Sequence, residues 1–296
     1  MIRHYLAEIF EPSLLLGFLI SILGVAVAGH YGHINLFYGA LAVMGVVLSQ
    51  MSVNLINDYY DFKSGLDIEQ ISIHTNFSGG SKMVGSGKVS HLHAMYIGVA
   101  ALCLAGVIGI YLALEVTLVI VPIIVVGAIA ALTYTKYFTK FPLLPEPLAM
   151  LGFVLMAVGS FIVAHGSATG LGSALFVLVP GGMLGGIQLL VNEVPDAEID
   201  KKYGRKHAVI ILNDNRKVAA YYSLLQGSTY ALVVVGVLAY GLPLASLAAL
   251  VTLPVLFLVA GGMLNYKNPQ TYEKHMGQNV MAVMAYLMLL IVAYSL

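Results

Sequence analysis

Charge is scarce in this chain. Only 9% of its 296 residues are charged, against about 25% in an ordinary soluble domain. The deficit excludes a soluble globular class before any motif is considered. Neither sign is in excess, with 14 basic and 14 acidic residues, which excludes a broad nucleic-acid-binding face. Tryptophan is absent, so any aromatic belt at a membrane surface falls to the 18 tyrosines and some phenylalanines. The one cysteine, Cys103, cannot close an internal disulfide and leaves the redox compartment open. We expect no cleavable leader, because Arg3, Glu8 and Glu11 precede an apolar stretch long enough to span.

What is present is apolar length. Hydrophobic residues make up 59% of the chain. Runs of roughly spanning length lie near 13–29, 35–56, 92–113, 116–134, 146–164, 171–191, 218–240, 244–264 and 278–295. They predict an all-α, multi-pass membrane protein of about nine transmembrane helices. Pro122 and Pro254 fall inside two of these runs, which spanning helices tolerate when neighbours satisfy the freed backbone. Every lysine and arginine then falls on one side of a nine-span arrangement. The positive-inside bias makes that side cytoplasmic, together with the N-terminus, in a cell membrane. No low-complexity linker divides the chain, so residues 1–296 read as a single transmembrane domain.

Two long loops, near 57–91 and 192–217, lie on the basic side. Each begins with an acidic cluster: "NDYYDFKSGLD" at 57–67 and "NEVPDAEID" at 192–200. Asn57 and Asp61 are four apart, as are Asn192, Asp196 and Asp200, so each set shares one helix face. Asn54 lies one turn earlier, Asp58 stands beside the first set, and Asp67 falls beyond Gly65, in a predicted loop.

Like charges at this spacing repel, and carboxylates beside hydrocarbon lose solvation. Hard dications supply a reason to keep them: magnesium takes oxygen ligands, commonly one or two carboxylates plus substrate phosphates. Facing stacks could bridge a diphosphate and neutralise the charge that develops as a carbon–oxygen bond breaks. One such cluster is equally well an ordinary helix exit; two of like spacing on one side are not. A cation-coupled transporter is the rival reading, but it favours acids at the bilayer midplane and broken helices.

These segments resemble the paired aspartate-rich motifs of the UbiA superfamily of intramembrane prenyltransferases. "DFKSGLD", "FSGGSKMVGSGKVS" and "YTKYFTKFPLLPE" resemble the branch that prenylates 1,4-dihydroxy-2-naphthoate for menaquinone. The resemblance runs from about residue 10 to the last helix, and the acidic motifs are its specific part. It implies nine helices around a central cavity with both motifs at its cytoplasmic end. It also implies a polyprenyl diphosphate donor, an aromatic acceptor, magnesium as cofactor and a lipid-embedded prenyl tail. Asn57, Asp58, Asp61, Asn192, Asp196 and Asp200 would hold metal and diphosphate, with Asp61, Asp67, Asp196 and Asp200 catalytic. Asp67 would orient or deprotonate the acceptor. Other acceptors of the superfamily, 4-hydroxybenzoate or a glyceryl phosphate, stay open. Departures from the family pattern are Glu11 and Pro12 near the first helix, Pro195 before the middle aspartate, and "GRKHAV" after the second motif.

The remaining candidates carry two readings each. Tyr59, Tyr60, Phe77 and Tyr134 near the mouth could face a carbocation, or simply anchor at the interface. Lys82, Lys140, Arg205 and Lys206 could bind diphosphate oxygens, or simply carry the positive-inside signal; Lys140 and Arg205 are the strongest by the resemblance. His74, His91, His93 and His207 lie on the basic side; His91 and His93, two apart near a helix start, suit no metal pattern and read as surface residues. "GGSKMVGSGK" lacks the Ser or Thr that a phosphate loop needs after Gly-Lys, since Val89 follows Lys88. Its glycines suit a loop closing over a cavity. Glu115 and Glu146 lie at helix ends; a helix-start charge explains Glu146 as well as a site role does.

Overall fold

In a computed structural model, residues 12–71, 75, 77 and 82–296 are described. Arg3, Glu8, Glu11 and His74, considered above, lie outside the described residues. Helices in chain order are α1 (Pro12–Tyr31), α2 (Leu36–Ser64), α3 (Leu66–Gln70), α4 (His91–Glu115), α5 (Val121–Thr133) and α6 (Pro145–His165). They continue as α7 (Leu171–Lys202), α8 (Ala208–Leu212), α9 (Asn215–Tyr240), α10 (Leu253–Leu264) and α11 (Pro269–Ser295). Short 3-10 turns occupy Leu118–Ile120, Phe138–Lys140 and Leu244–Thr252.

Among the described residues, eight helical stretches are long and apolar enough to cross a membrane. The ninth predicted run is shorter. Its α-helix, α5, has 13 residues, which is about 20 Å at the standard rise, against a hydrocarbon core of roughly 30 Å. Proline explains the shortening. Pro122 and Pro254 do not interrupt helices but open α5 and α10, each preceded by a 3-10 turn. A residue without an N–H loses nothing at the first turn.

The ends follow local chemistry. Asn35 caps α2, its Oδ1 accepting the Tyr38 N–H at 3.1 Å. Gly65 ends α2 in the left-handed region (φ 90°), its N–H donating to the Phe62 carbonyl at 3.0 Å. The chain can therefore turn immediately after the first acidic cluster.

α7 is the central helix, with 67% of its apolar window buried. It packs against α6 with almost no spacing: a Cβ on Gly182 would lie 2.5 Å from Val154 Cα, and one on Gly186 would lie 2.6 Å from the Glu146 carbonyl oxygen. In lipid, where apolar side chains gain nothing by hiding from the tails, such close backbone contact is a main source of helix association. Ile20, Leu23, Phe161, Leu184, Ile187 and Leu287 complete the buried centre of α1, α6, α7 and α11. A second small cluster, Leu55, Val84, Val89 and Ala94, pins the segment after the first motif against α2 and α4.

Candidate active site

The first motif occupies the last turns of α2. Asn57 donates through Nδ2 to Asp61 Oδ2 at 2.9 Å, the contact expected of residues one turn apart. Thr135, beyond α5, donates its hydroxyl to Asn57 Oδ1 at 2.7 Å. Asp58 and Asp61 are both buried. Asp67 does not lie in a loop; Gly65 lets the chain re-enter a one-turn helix, α3, that carries Asp67 and Gln70. Gly85 packs against Asp67 so closely that a Cβ there would approach the Asp67 carbonyl oxygen to 2.9 Å. The glycine-rich segment thus supports the motif directly.

The second motif occupies the last turns of α7. Gln188 donates to Asn192 Oδ1 at 2.8 Å, Asn279 of α11 donates to Gln188 Oε1 at 2.8 Å, and the Tyr222 hydroxyl donates to Asn279 Oδ1 at 2.9 Å. This relay holds Asn192 from two further helices. Pro195 sits inside α7 and removes the hydrogen bond that the Val191 carbonyl would receive. Asp196 and Asp200 are buried.

The two motifs meet. Gln70 Nε2 donates to Asp200 Oδ1 at 2.9 Å, joining α3 to α7. Arg205 pairs through one nitrogen with Asp61, and its other terminal nitrogen lies 3.6 Å from Asp200 Oδ2. One guanidinium therefore spans the gap between the acidic patches. Burial pulls the Arg205 pKa down, but the Asp61 and Asp200 charges outweigh it and the net direction is up.

Above this junction lies a cavity of about 710 Å³, apolar over most of its wall. Asn57, Asp58, Asp61 and Asp67 line its polar end from one side, and Asn192, Asp196, Asp200 and Arg205 from the other. Tyr134 and Phe77 also line it, the Tyr134 hydroxyl donating to the Pro145 carbonyl at 3.3 Å. Tyr59 and Tyr60 do not; Tyr59 stacks on His91 with ring centres 5.9 Å apart, as an interface anchor would.

Three of the predicted cations stay outside the lining. Lys140 ends a 3-10 turn whose buried member is Thr139, and its side chain is exposed. Lys206 lies in an extended stretch where alternate side chains face opposite ways. Arg205 and His207 turn inward there and Lys206 turns out. Its backbone is held between Thr139 and Leu143: the N–H donates to the Thr139 carbonyl at 2.9 Å and the carbonyl accepts from Leu143 at 3.1 Å. Lys82 is half-buried and donates to the Thr75 carbonyl at 2.7 Å. Burial lowers its pKa, while the charges of Asp196 and Glu273 oppose the shift.

His207, given no role above, is 1% exposed, with Nε2 3.2 Å from Asp200 Oδ2. Alternation along "GRKHAV" was the signal that could have revealed it. Glu193, Gln70 and Thr135 were also missed; nothing in their local spacing separates them from ordinary helix-end residues.

The donor set fits a hard dication. Its atoms are carboxylate and amide oxygens, and the carboxylates outnumber the nearest cations, Arg205 and Lys82. A cationic group already bridges the two patches. Magnesium-class ions take this kind of oxygen-rich, partly solvated site.

The sequence signature described as the UbiA prenyltransferase family matches residues 18–293. The chain belongs to that family. A 1,4-dihydroxy-2-naphthoate octaprenyltransferase of Bacillus subtilis (strain 168) is 26% identical over 220 residues, covering 71% of this chain and 63% of that relative's length. Among solved structures, the apo UbiA homolog from Aeropyrum pernix K1 matches with TM-score 0.72 and 20% identity, over 94% of this chain and 97% of its own. A UbiA homolog from Archaeoglobus fulgidus bound to GPP and Mg2+ matches with TM-score 0.58 and 17% identity, over 98% and 99% of the two chains. At these identities the solved structures establish the UbiA fold, and with it an all-helical integral membrane protein.

Proposed function

We propose that this chain is a magnesium-dependent polyprenyltransferase. It takes residues 1–296 as one catalytic unit in the cell membrane, with the N-terminus and active-site loops cytoplasmic. The donor is a polyprenyl diphosphate, and the favoured acceptor is 1,4-dihydroxy-2-naphthoate or a similar electron-rich aromatic ring. The observation that carries this reading is the convergence of two acidic patches, spanned by Arg205, at the polar end of a largely apolar cavity. A diphosphate head with a hydrocarbon tail is the ligand that matches both halves. The family membership, the naphthoate-transferring relative and the GPP- and Mg2+-bound homolog support it.

Asn57, Asp58, Asp61, Asn192, Asp196 and Asp200 would hold magnesium together with the diphosphate. When bound, the dication offsets the negative charge that builds on the departing diphosphate. Arg205 would exchange its carboxylate partners for diphosphate oxygens, donating two parallel hydrogen bonds. Tyr134 and Phe77 line the same cavity, so their ring faces could stabilise an allylic cation. The wall excludes water, which would otherwise capture that cation. The carbon–oxygen bond of the donor breaks, a bond forms to the acceptor ring, and Asp67 takes the displaced ring proton.

The test is incubation of purified protein with labelled geranylgeranyl diphosphate and a panel of aromatic and glyceryl phosphate acceptors. Prenylated naphthoate should form with magnesium, cease with EDTA and return when magnesium is restored. Absence of product with every acceptor, together with ion flux in liposomes, would replace the enzyme with a transporter.

A further inference from the structure

Next to the aspartates lies a second donor group that the transfer reaction does not use. Glu146, in the first turn of α6, is fully buried; its Oε1 accepts the Ala208 N–H at 2.6 Å, and its Oε2 has no hydrogen-bond partner. Glu193, on α7 beside Asn192, is buried, and its Oε2 also lacks a partner. That oxygen lies 3.7 Å from His207 Nδ1, which makes no hydrogen bond either. One ligand atom from each of the three residues falls within 4.8 Å of the others. Two carboxylates and an imidazole thus gather in one buried place, where Glu146 Oε2, Glu193 Oε2 and both ring nitrogens of His207 have no hydrogen-bond partner.

We propose that Glu146, Glu193 and His207 form a binding site for one transition-metal dication of the zinc class. The site is separate from the aspartate set that suits magnesium. Three features assign the class. An imidazole ligand favours zinc, copper, iron or nickel over magnesium, which prefers oxygen alone. Bonds of about 2.1 Å in tetrahedral array place ligand atoms roughly 3.4 Å apart, so the 3.7 Å between Glu193 and His207 needs little adjustment. A metal-bound histidine commonly donates its other nitrogen to a carboxylate: with Nδ1 as ligand, Nε2 lies 3.2 Å from Asp200 Oδ2, and a small rotation of the ring on metal binding would let Nε2–H donate there. The Ala208 N–H orients Glu146 in the same way.

Glu193 and His207 line the cavity. Three protein ligands leave a fourth position on that side for water or another oxygen donor. The ion ties α6, α7 and the extended stretch bearing Arg205 together, and it acts on the aspartate site through Asp200 and that backbone.

The test needs no prenyl substrate, so it stands or falls apart from the proposed activity. Full-length protein is stripped with a chelator, reloaded with zinc alone, desalted and assayed for metal. One equivalent should remain in the wild type and in the Asp61→Asn/Asp196→Asn double variant. Glu146→Gln and His207→Gln should each weaken zinc binding at least tenfold while eluting as the same folded species. X-ray absorption of the zinc-loaded wild type covers the case of variants that fail to fold: one imidazole nitrogen with oxygen ligands is expected. An oxygen-only shell, retention undiminished in folded Glu146→Gln and His207→Gln, or loss of zinc in the double aspartate variant would overturn the site.

Discussion

Arg205 pairs with Asp61 across 144 positions of sequence, and the pair closes the gap between the ends of α2 and α7. The same guanidinium reaches toward Asp200. A charge-assisted hydrogen bond contributes about 1.5–3 kcal/mol, or roughly ten- to a hundredfold in affinity. Arg205→Ala should therefore raise the KM for the prenyl diphosphate by about that factor. Arg205→Lys should recover little, because a point charge cannot span both patches. Steady-state kinetics with varied donor checks both.

Asp61→Ala and Asp196→Ala remove charge from opposite sides of the same gap. Loss of one such stabilising group commonly costs about a hundred- to a thousandfold in kcat, and each variant should fall that far while keeping its helical circular dichroism. Full activity in both folded variants would end the two-patch mechanism.

Lys140 provides the contrast. Its exposed side chain stands outside the cavity lining. Exposed substitutions usually shift free energies by about 0.5 kcal/mol or less, so Lys140→Ala should leave the donor KM within about twofold. A clearly raised KM would show that the 3-10 turn moves inward when substrate binds.

Gly152 lines the cavity, and a Cβ there would meet nothing within 4 Å. Gly152→Phe should fill this space without disturbing the packing around it. Competition between geranyl, farnesyl and geranylgeranyl diphosphates should then move toward the shorter donor. An unchanged preference would place the tail elsewhere.

Asp214 caps α9, accepting the Arg216 and Lys217 N–H groups at 2.8 and 3.1 Å. These backbone hydrogen bonds hold its pKa below the ordinary 3.8. A depressed carboxylate stabilises the fold above its unfolded value, and that contribution fades as pH falls through the folded value. The Tm gap between wild type and Asp214→Ala should be present at neutral pH and shrink in acid below the ordinary aspartate range. A gap that holds constant across this range would remove the ionised cap.

Much of this was legible beforehand, for local reasons. Apolar length marked the spans, and four-residue spacing put Asn57 with Asp61, and Asn192 with Asp196, on shared helix faces. Pro122 misled only as to position: as residues of an apolar run, 116–134 look continuous, whereas the missing N–H moves the helix start inward to α5. His207 stands between charged and apolar neighbours in sequence, which leaves its direction open, whereas its neighbours in space are Asp200 and Glu193.

By itself, the sequence determined that the chain belongs in a bilayer and that oxygen donors cluster at two helix ends. Both depend on composition and on periodicity within a few turns. Only the tertiary structure decided that Arg205 and His207 face inward while Lys206 and Lys140 face out, and that Gln70 meets Asp200. Those residues sit in short turns and a short extended stretch, where the local period fixes which side chains alternate but contacts with helices far away in sequence decide which of them face inward.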